Sequence, residues 1–163
     1  MLGFLVYACS FYGCGAYGFR PSNPPEGIRT LYIPSFQNSS GFSEANIIDN
    51  FTIKLKDLIT RDNTFLLADE KIADGSVRCT ITGVTDEPLV ISGNETVTKR
   101  KITVTVSASF RNLKKDKEIW NKSISNFGEY NSSNAGFSER DLGVQSAIDK
   151  ISNDILIELT SNW

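Results

Sequence analysis

The sequence predicts an α+β fold: a two-layer sandwich with two amphipathic helices packed on one face of a mostly antiparallel sheet of four to five strands. Three observations predict it. Ile47, Ile48, Phe51, Leu55, Leu58 and Ile59 recur at steps of three and four residues, as one buried face of a helix requires. Leu142, Ala147, Ile148, Ile151, Ile155 and Leu159 make a second such stripe. Between them Ile102, Val104, Val106, Ala108 and Phe110 alternate with Thr103, Thr105, Ser107, Ser109 and Arg111, the period of a half-buried strand. Two helices with single apolar stripes need one sheet face to cover.

Taken in order, a first strand is expected at 29–35, where Leu31 and Ile33, with Ile28, supply apolar contacts and Pro34 forces the exit. The stretch 37–41 is turn-rich, and Ser43 is placed to cap a helix over 44–61. Residues 64–67 read as a short strand, with turns at Asp69-Glu70 and Asp74-Gly75. From Ser76 the period becomes two, with Val77, Cys79, Ile81 and Gly83 on one face. That strand resumes through Leu89, Val90 and Ile91 after an irregularity at Asp86-Glu87-Pro88. Strands 101–112 and 118–130 then form a hairpin, the second carrying Trp120, Ile124 and Phe127. Ser138 heads an S-x-x-D capping pattern for a helix over 138–160.

Ahead of this domain, an apolar run from Met1 to Gly13 ends at Cys14, the layout of a bacterial lipoprotein signal. On that reading 1–13 is the signal segment, Cys14 carries a diacylglycerol thioether, 14–27 is a Gly- and Pro-rich tether, and 28–163 is one domain. The run is too short to span a bilayer. Gly13 is small, as the signal peptidase groove demands, although Phe11 and Tyr12 fit poorly and no Lys or Arg precedes Arg20. Cys9 is the weaker lipidation candidate. The competing reading makes the run a buried N-terminal strand and Cys14 a small core residue. Gly13, Gly15 and Gly18 also spell G-x-G-x-x-G, but Pro21, Pro24 and Pro25 follow where a dinucleotide site needs a helix.

Composition excludes several function classes. The chain has no histidine, so a Ser-His-Asp triad, a Cys-His pair and an H-E-x-x-H zinc site are impossible. No cofactor and no metal is expected. Asp69-Glu70 and Asp86-Glu87 are adjacent pairs, which extended backbone points to opposite sides, and they read as turn carboxylates. A net charge of −2 gives no basic field, and Lys99-Arg100-Lys101 and Lys114-Lys115 are short enough to be strand-end or turn charges, so nucleic acid is not an expected partner. With Cys9 and Cys14 removed or acylated, Cys79 is the remaining thiol and reads as core. N-x-[S/T] sequons at Asn38, Asn50, Asn94, Asn121 and Asn131 reflect a surface rich in Asn, Ser and Thr.

Several stretches taken together resemble a known family. They are Gly13-Cys14-Gly15-x-Tyr17-x-Phe19, Ile33-Pro34-x-Phe36-x-Asn38, Gly93-Asn94-Glu95-Thr96 leading into Ile102-Thr103-Val104-Thr105-Val106, and the closing Asn162-Trp163. The chain resembles, over nearly its whole length, the LptE-like lipopolysaccharide-assembly lipoproteins of the Bacteroidetes type. The resemblance implies an outer-membrane lipoprotein facing the periplasm, acylated at Cys14, that acts as plug and assembly partner of the β-barrel translocon LptD and assists lipopolysaccharide insertion. Three loops expected at one end of the sheet, 37–42, 92–97 and 131–137, are candidate contact zones because Asn, Ser and Gly adapt their hydrogen bonds. The candidate partner-binding residues are Asn38, Ser39, Asn94, Glu95, Thr96, Asn131 and Ser132. The alternative is a non-catalytic envelope lipoprotein that binds another cell-envelope component. A carboxylate hydrolase has no positive support.

Overall fold

The computed structural model describes residues 24–43, 46–89, 99–131 and 137–161. Within these, the chain runs β1 (Thr30–Tyr32), β2 (Gln37–Asn38), α1 (Ile47–Asp62), β3 (Leu66–Leu67), β4 (Gly75–Pro88), β5 (Lys99–Asn112), β6 (Lys117–Asn131) and α2 (Phe137–Thr160). The strands make one sheet in the order β3-β1-β4-β5-β6, and β2 pairs with β4 further along the edge that β1 occupies. β4–β5 and β5–β6 are antiparallel, whereas β1–β3, β1–β4 and β2–β4 are parallel. The fold is therefore the expected α+β sandwich, with six strands in place of four to five; the sheet is mixed, its long ladders antiparallel and its parallel pairings confined to the short strands β1, β2 and β3. The first strand is broken because Pro34 lacks an N–H to continue the ladder.

Strict alternation in β5 puts Ile102, Val104, Val106, Ala108 and Phe110 wholly inside. Their β4 partners Val77, Cys79 and Ile81 face the same way, and burial pushes the Cys79 thiol up to about 12. α1 contributes Ile47, Phe51, Leu55 and Ile59, with Phe36 stacked on Phe51 at 5.0 Å between ring centroids. α2 contributes Val144, Ala147, Ile148, Ile151, Ile155 and Leu159. Each such large side chain contributes about 1.5–3 kcal/mol on burial.

Local details depart from expectation for definable reasons. α1 begins at Ile47 and is preceded by Asn46 at φ 71°, which makes no side-chain cap, so Ser43 lies too far upstream to serve. Its C-terminus closes on Asn63, also left-handed, whose N–H reaches Ile59 O at 3.1 Å. α2 begins at Phe137, which places Ser138 inside the helix and not before it. Leu142 is 64% exposed, because nine residues before the buried Ile151 at 100° per residue is the opposite side of the helix. Phe127 pairs with Thr103 on the outer face, while Trp120 and Ile124 pair with Phe110 and Val106 on the inner one. The presumed irregularity at Asp86-Glu87-Pro88 is continuous strand; the register instead shifts between Ile81 and Gly83. β4 ends at Pro88, Leu89 donates to Lys99 O at 3.0 Å, and Val90 and Ile91 lie outside the described residues.

α2 packs tightly on the sheet where two glycines meet. A Cβ on Gly128 of β6 would collide with the backbone carbonyl of Gly143, and one on Gly143 would press on Ile102 and Tyr130 at 3.1 Å. This contact fixes how near the first turns of α2 lie to the end of the sheet. No described helix is long and apolar enough to cross a membrane.

Candidate functional site

Because β4 ends at Pro88, β5 begins at Lys99 and β6 ends at Asn131, the connections 89–98 and 132–136 leave from the same end of the sheet. A polar cluster closes that end. In β5 the inward parity that buries Ile102 also directs Arg100 inward, and its partners across the ladder are Pro88 and Tyr130. Asp86, paired with Ile102, points the same way. Arg100 Nε donates to Asp86 Oδ1 at 2.8 Å and to the Tyr130 hydroxyl at 3.1 Å, and Arg100 Nη2 donates to the Asp86 carbonyl at 3.1 Å. The Tyr130 hydroxyl donates to Asp86 Oδ2 at 2.7 Å. From the first turn of α2, Arg140 Nε lies 3.3 Å from the same oxygen and its guanidinium sits 4.8 Å above the Phe42 ring.

Burial pushes the Asp86 carboxyl up, but the Tyr130 hydroxyl and the Arg100 guanidinium outweigh it and hold the group below its ordinary value. The Arg100 guanidinium is raised by its bond to Asp86, and Tyr130 is raised by burial and then by the same carboxylate. An ionised carboxylate that accepts from three donors is committed, and it is a poor proton acceptor for any substrate. The chemistry on offer is positional: β4, β5, β6, α2 and the loop after β2 are tied to one carboxylate. Among the described residues no group of three or more His, Cys, Asp or Glu side chains could hold a metal.

Asn38, in β2, and Ser39 pair with β4 at Ile81, short of this end, and are spent on shaping the loop that follows. Asn38 Nδ2 donates to Phe42 O at 2.7 Å, while its Oδ1 accepts from Ser40 N at 3.0 Å and Ser40 Oγ at 2.7 Å. Ser39 donates through N and Oγ to Ile81 O at 2.9 and 3.1 Å. The effect is to deliver Phe42 to Arg140, with an open hollow of about 400 Å³ alongside, lined by Asn38, Phe42, Ser43, Asn46, Ile47, Ile48 and Asp49. Asn131 is the last residue of β6, exposed and paired with Lys99. Cys14, Asn94, Glu95, Thr96 and Ser132 lie outside the described residues.

Sequence reasoning missed Asp86, Arg100, Tyr130 and Arg140 as a unit. It took Asp86 for a turn carboxylate and Arg100 for a strand-end charge. The available signal was parity: Arg100 stands two residues before Ile102, so strict alternation already sends it inward.

The sequence profile of the LptE family, described as lipopolysaccharide-assembly, matches residues 28–159. Solved structures share the fold at low identity. Protein CT253 of Chlamydia trachomatis superposes with a TM-score of 0.61 at 8% identity, covering 82% of this chain and 96% of that one. Rare lipoprotein B of Shewanella oneidensis gives 0.54 at 17% identity, covering 80% and 92%. PelC of Paraburkholderia phytofirmans, a dodecamer, gives 0.54 at 9% identity, covering 86% and 95%. No curated protein matches the chain. With four fifths of its length matched by one profile, the chain belongs to the LptE lipopolysaccharide-assembly family.

Proposed function

We propose that this protein is a lipid-anchored, non-catalytic subunit of the outer-membrane lipopolysaccharide translocon, seated as a plug in an LptD-type β-barrel and assisting barrel assembly and lipopolysaccharide insertion. The family match over 28–159 carries the reading. Residues 1–13 act as the export signal, Cys14 is acylated, and 14–27 tethers the domain to the periplasmic face of the outer membrane. A single acyl chain anchors only marginally, so the multiply acylated cysteine supplies the stable hold. The polar wall of a barrel lumen suits polar plug surfaces. The loops 37–42, 92–97 and 131–137 are the contact zones, with Asn38, Ser39, Asn94, Glu95, Thr96, Asn131 and Ser132 as contact residues. The Asp86 cluster supports this by bracing the end of the sheet from which two of those loops leave.

Two measurements on the native protein test the reading. Mass spectrometry should find acyl mass on an N-terminal Cys14 peptide, and Cys14→Ser should release the protein from membranes; an unmodified N-terminus that retains Met1 contradicts the anchor. Photoreactive residues at Ser39, Glu95 and Ser132 should crosslink to an LptD-type barrel. Crosslinks only to other envelope components would favour the alternative envelope-binding role.

A further inference from the structure

Among the described residues β6 is the last strand of the sheet, so its outer edge runs unpaired over fifteen residues. An edge of that length invites strand addition by another chain. Phe127 shows which backbone groups face outward. Its N–H donates to Asn126 Oδ1 at 2.9 Å and its C=O accepts from Lys150 Nζ at 2.7 Å, both being groups that β5 does not use. The β5–β6 register is unshifted from Ile102–Gly128 to Phe110–Trp120, and outward groups alternate along an antiparallel strand. Asn121, Ser123 and Ser125 therefore face the free edge as Phe127 does.

α2 reaches this strand at every fourth residue. Lys150 caps Phe127, Asp154 Oδ2 holds Asn126 Nδ2 at 3.0 Å, and Glu158 pairs with Lys122. Lys150 and Lys101 also place their ammonium groups 4.6 and 5.6 Å from the Phe127 ring centroid, over a side chain that is 38% exposed. The stretch left open is self-complementary. A twofold axis at Ser123 sets Asn121 opposite Ser125 and Ser123 opposite itself, hydrogen-bonding pairs with no like charges opposed. Lys122 is the one charged residue between Trp120 and Asn126, and Glu158 already holds it.

We propose that Asn126 and Lys150 guard the β6 edge against a second copy of this chain, and that without them two copies join by antiparallel β6–β6 pairing about Ser123. The test compares the full chain in detergent micelles with the Asn126→Ala/Lys150→Met double variant, using Lys54→Met, whose ion pair with Asp149 lies off the edge, as control. Light scattering should give a twofold mass increase for the double variant alone. Adding Ser123→Cys to it should yield, under mild oxidation, a disulfide between the two copies at position 123, located by peptide mass spectrometry. Should the double variant lose its thermal transition, Lys150→Met alone is read the same way. The proposal fails if the variant remains monomeric, if it associates without a link at 123, if position 123 links instead to Cys9 or Cys14, or if the unmodified edge already pairs through Ser123.

Discussion

Asp74 shows how much a single buried carboxylate organises. It is 7% exposed, accepts from Arg29 N at 2.8 Å and Thr30 N at 2.9 Å, and forms an ion pair with Lys114 from the β5–β6 turn. Its own backbone carbonyl accepts from Leu113 N at 2.8 Å, so β1 and the hairpin meet on one residue. The Lys114 ammonium and then the Arg29 amide hold its carboxyl far below the usual range. A depressed native pKa stabilises the fold above the unfolded value of about 3.9, and that contribution is lost as pH falls through the native pKa. Asp74→Asn should cost about 1–3 kcal/mol at pH 7. The gap from wild type should narrow by about pH 2.5, as read from urea midpoints at the two pH values. A gap independent of pH would show that the charge is not what holds β1 to the hairpin.

Among the elements, α2 and the long strands were legible because each repeats its period enough times to be unmistakable. β5 shows five inward apolar residues in strict alternation, and α2 shows six buried apolar side chains along its stripe. β1, β2 and β3 were not legible at their true extent, since strands of two or three residues carry no period and exist only because β4 or β1 offers a partner. Caps failed for a similar reason: Ser43 and Ser138 have the right chemistry, but the path of the chain starts each helix elsewhere. Ile148→Asp should abolish the cooperative thermal transition, because an unpaired charge at a fully buried site costs several kcal/mol against a total of about 5–15 kcal/mol. A retained transition would mean that α2 does not cover the sheet. Gly128→Ala should destabilise by about 1–3 kcal/mol by driving Gly143 away, whereas Gly83→Ala, whose new Cβ would sit 3.8 Å from Thr105, should be tolerated. Equal effects at the two glycines would rule out a close α2–β6 contact.

On the scale of the whole molecule, the layer architecture followed from two apolar stripes and one alternating run, and these are properties of single segments. The Asp86 cluster is a property of the assembled sheet: its members, Asp86, Arg100, Tyr130 and Arg140, come from four elements and meet only once the β4–β5–β6 register is set. Family membership was legible from family-like stretches and not from chemistry, since the proposed plug role would call on shape and braced loops and not on reactive side chains. Two candidate contact residues also have internal work: Asn38 and Ser39 hold their own loop through hydrogen bonds to Phe42, Ser40 and Ile81. The most direct test of the proposed role is depletion of the protein in its native cell, with the folded LptD-type barrel and surface lipopolysaccharide measured together. The account predicts misassembled barrel and lipopolysaccharide held back from the surface, both restored by the wild-type chain. Normal barrel and unchanged surface lipopolysaccharide after depletion would contradict it.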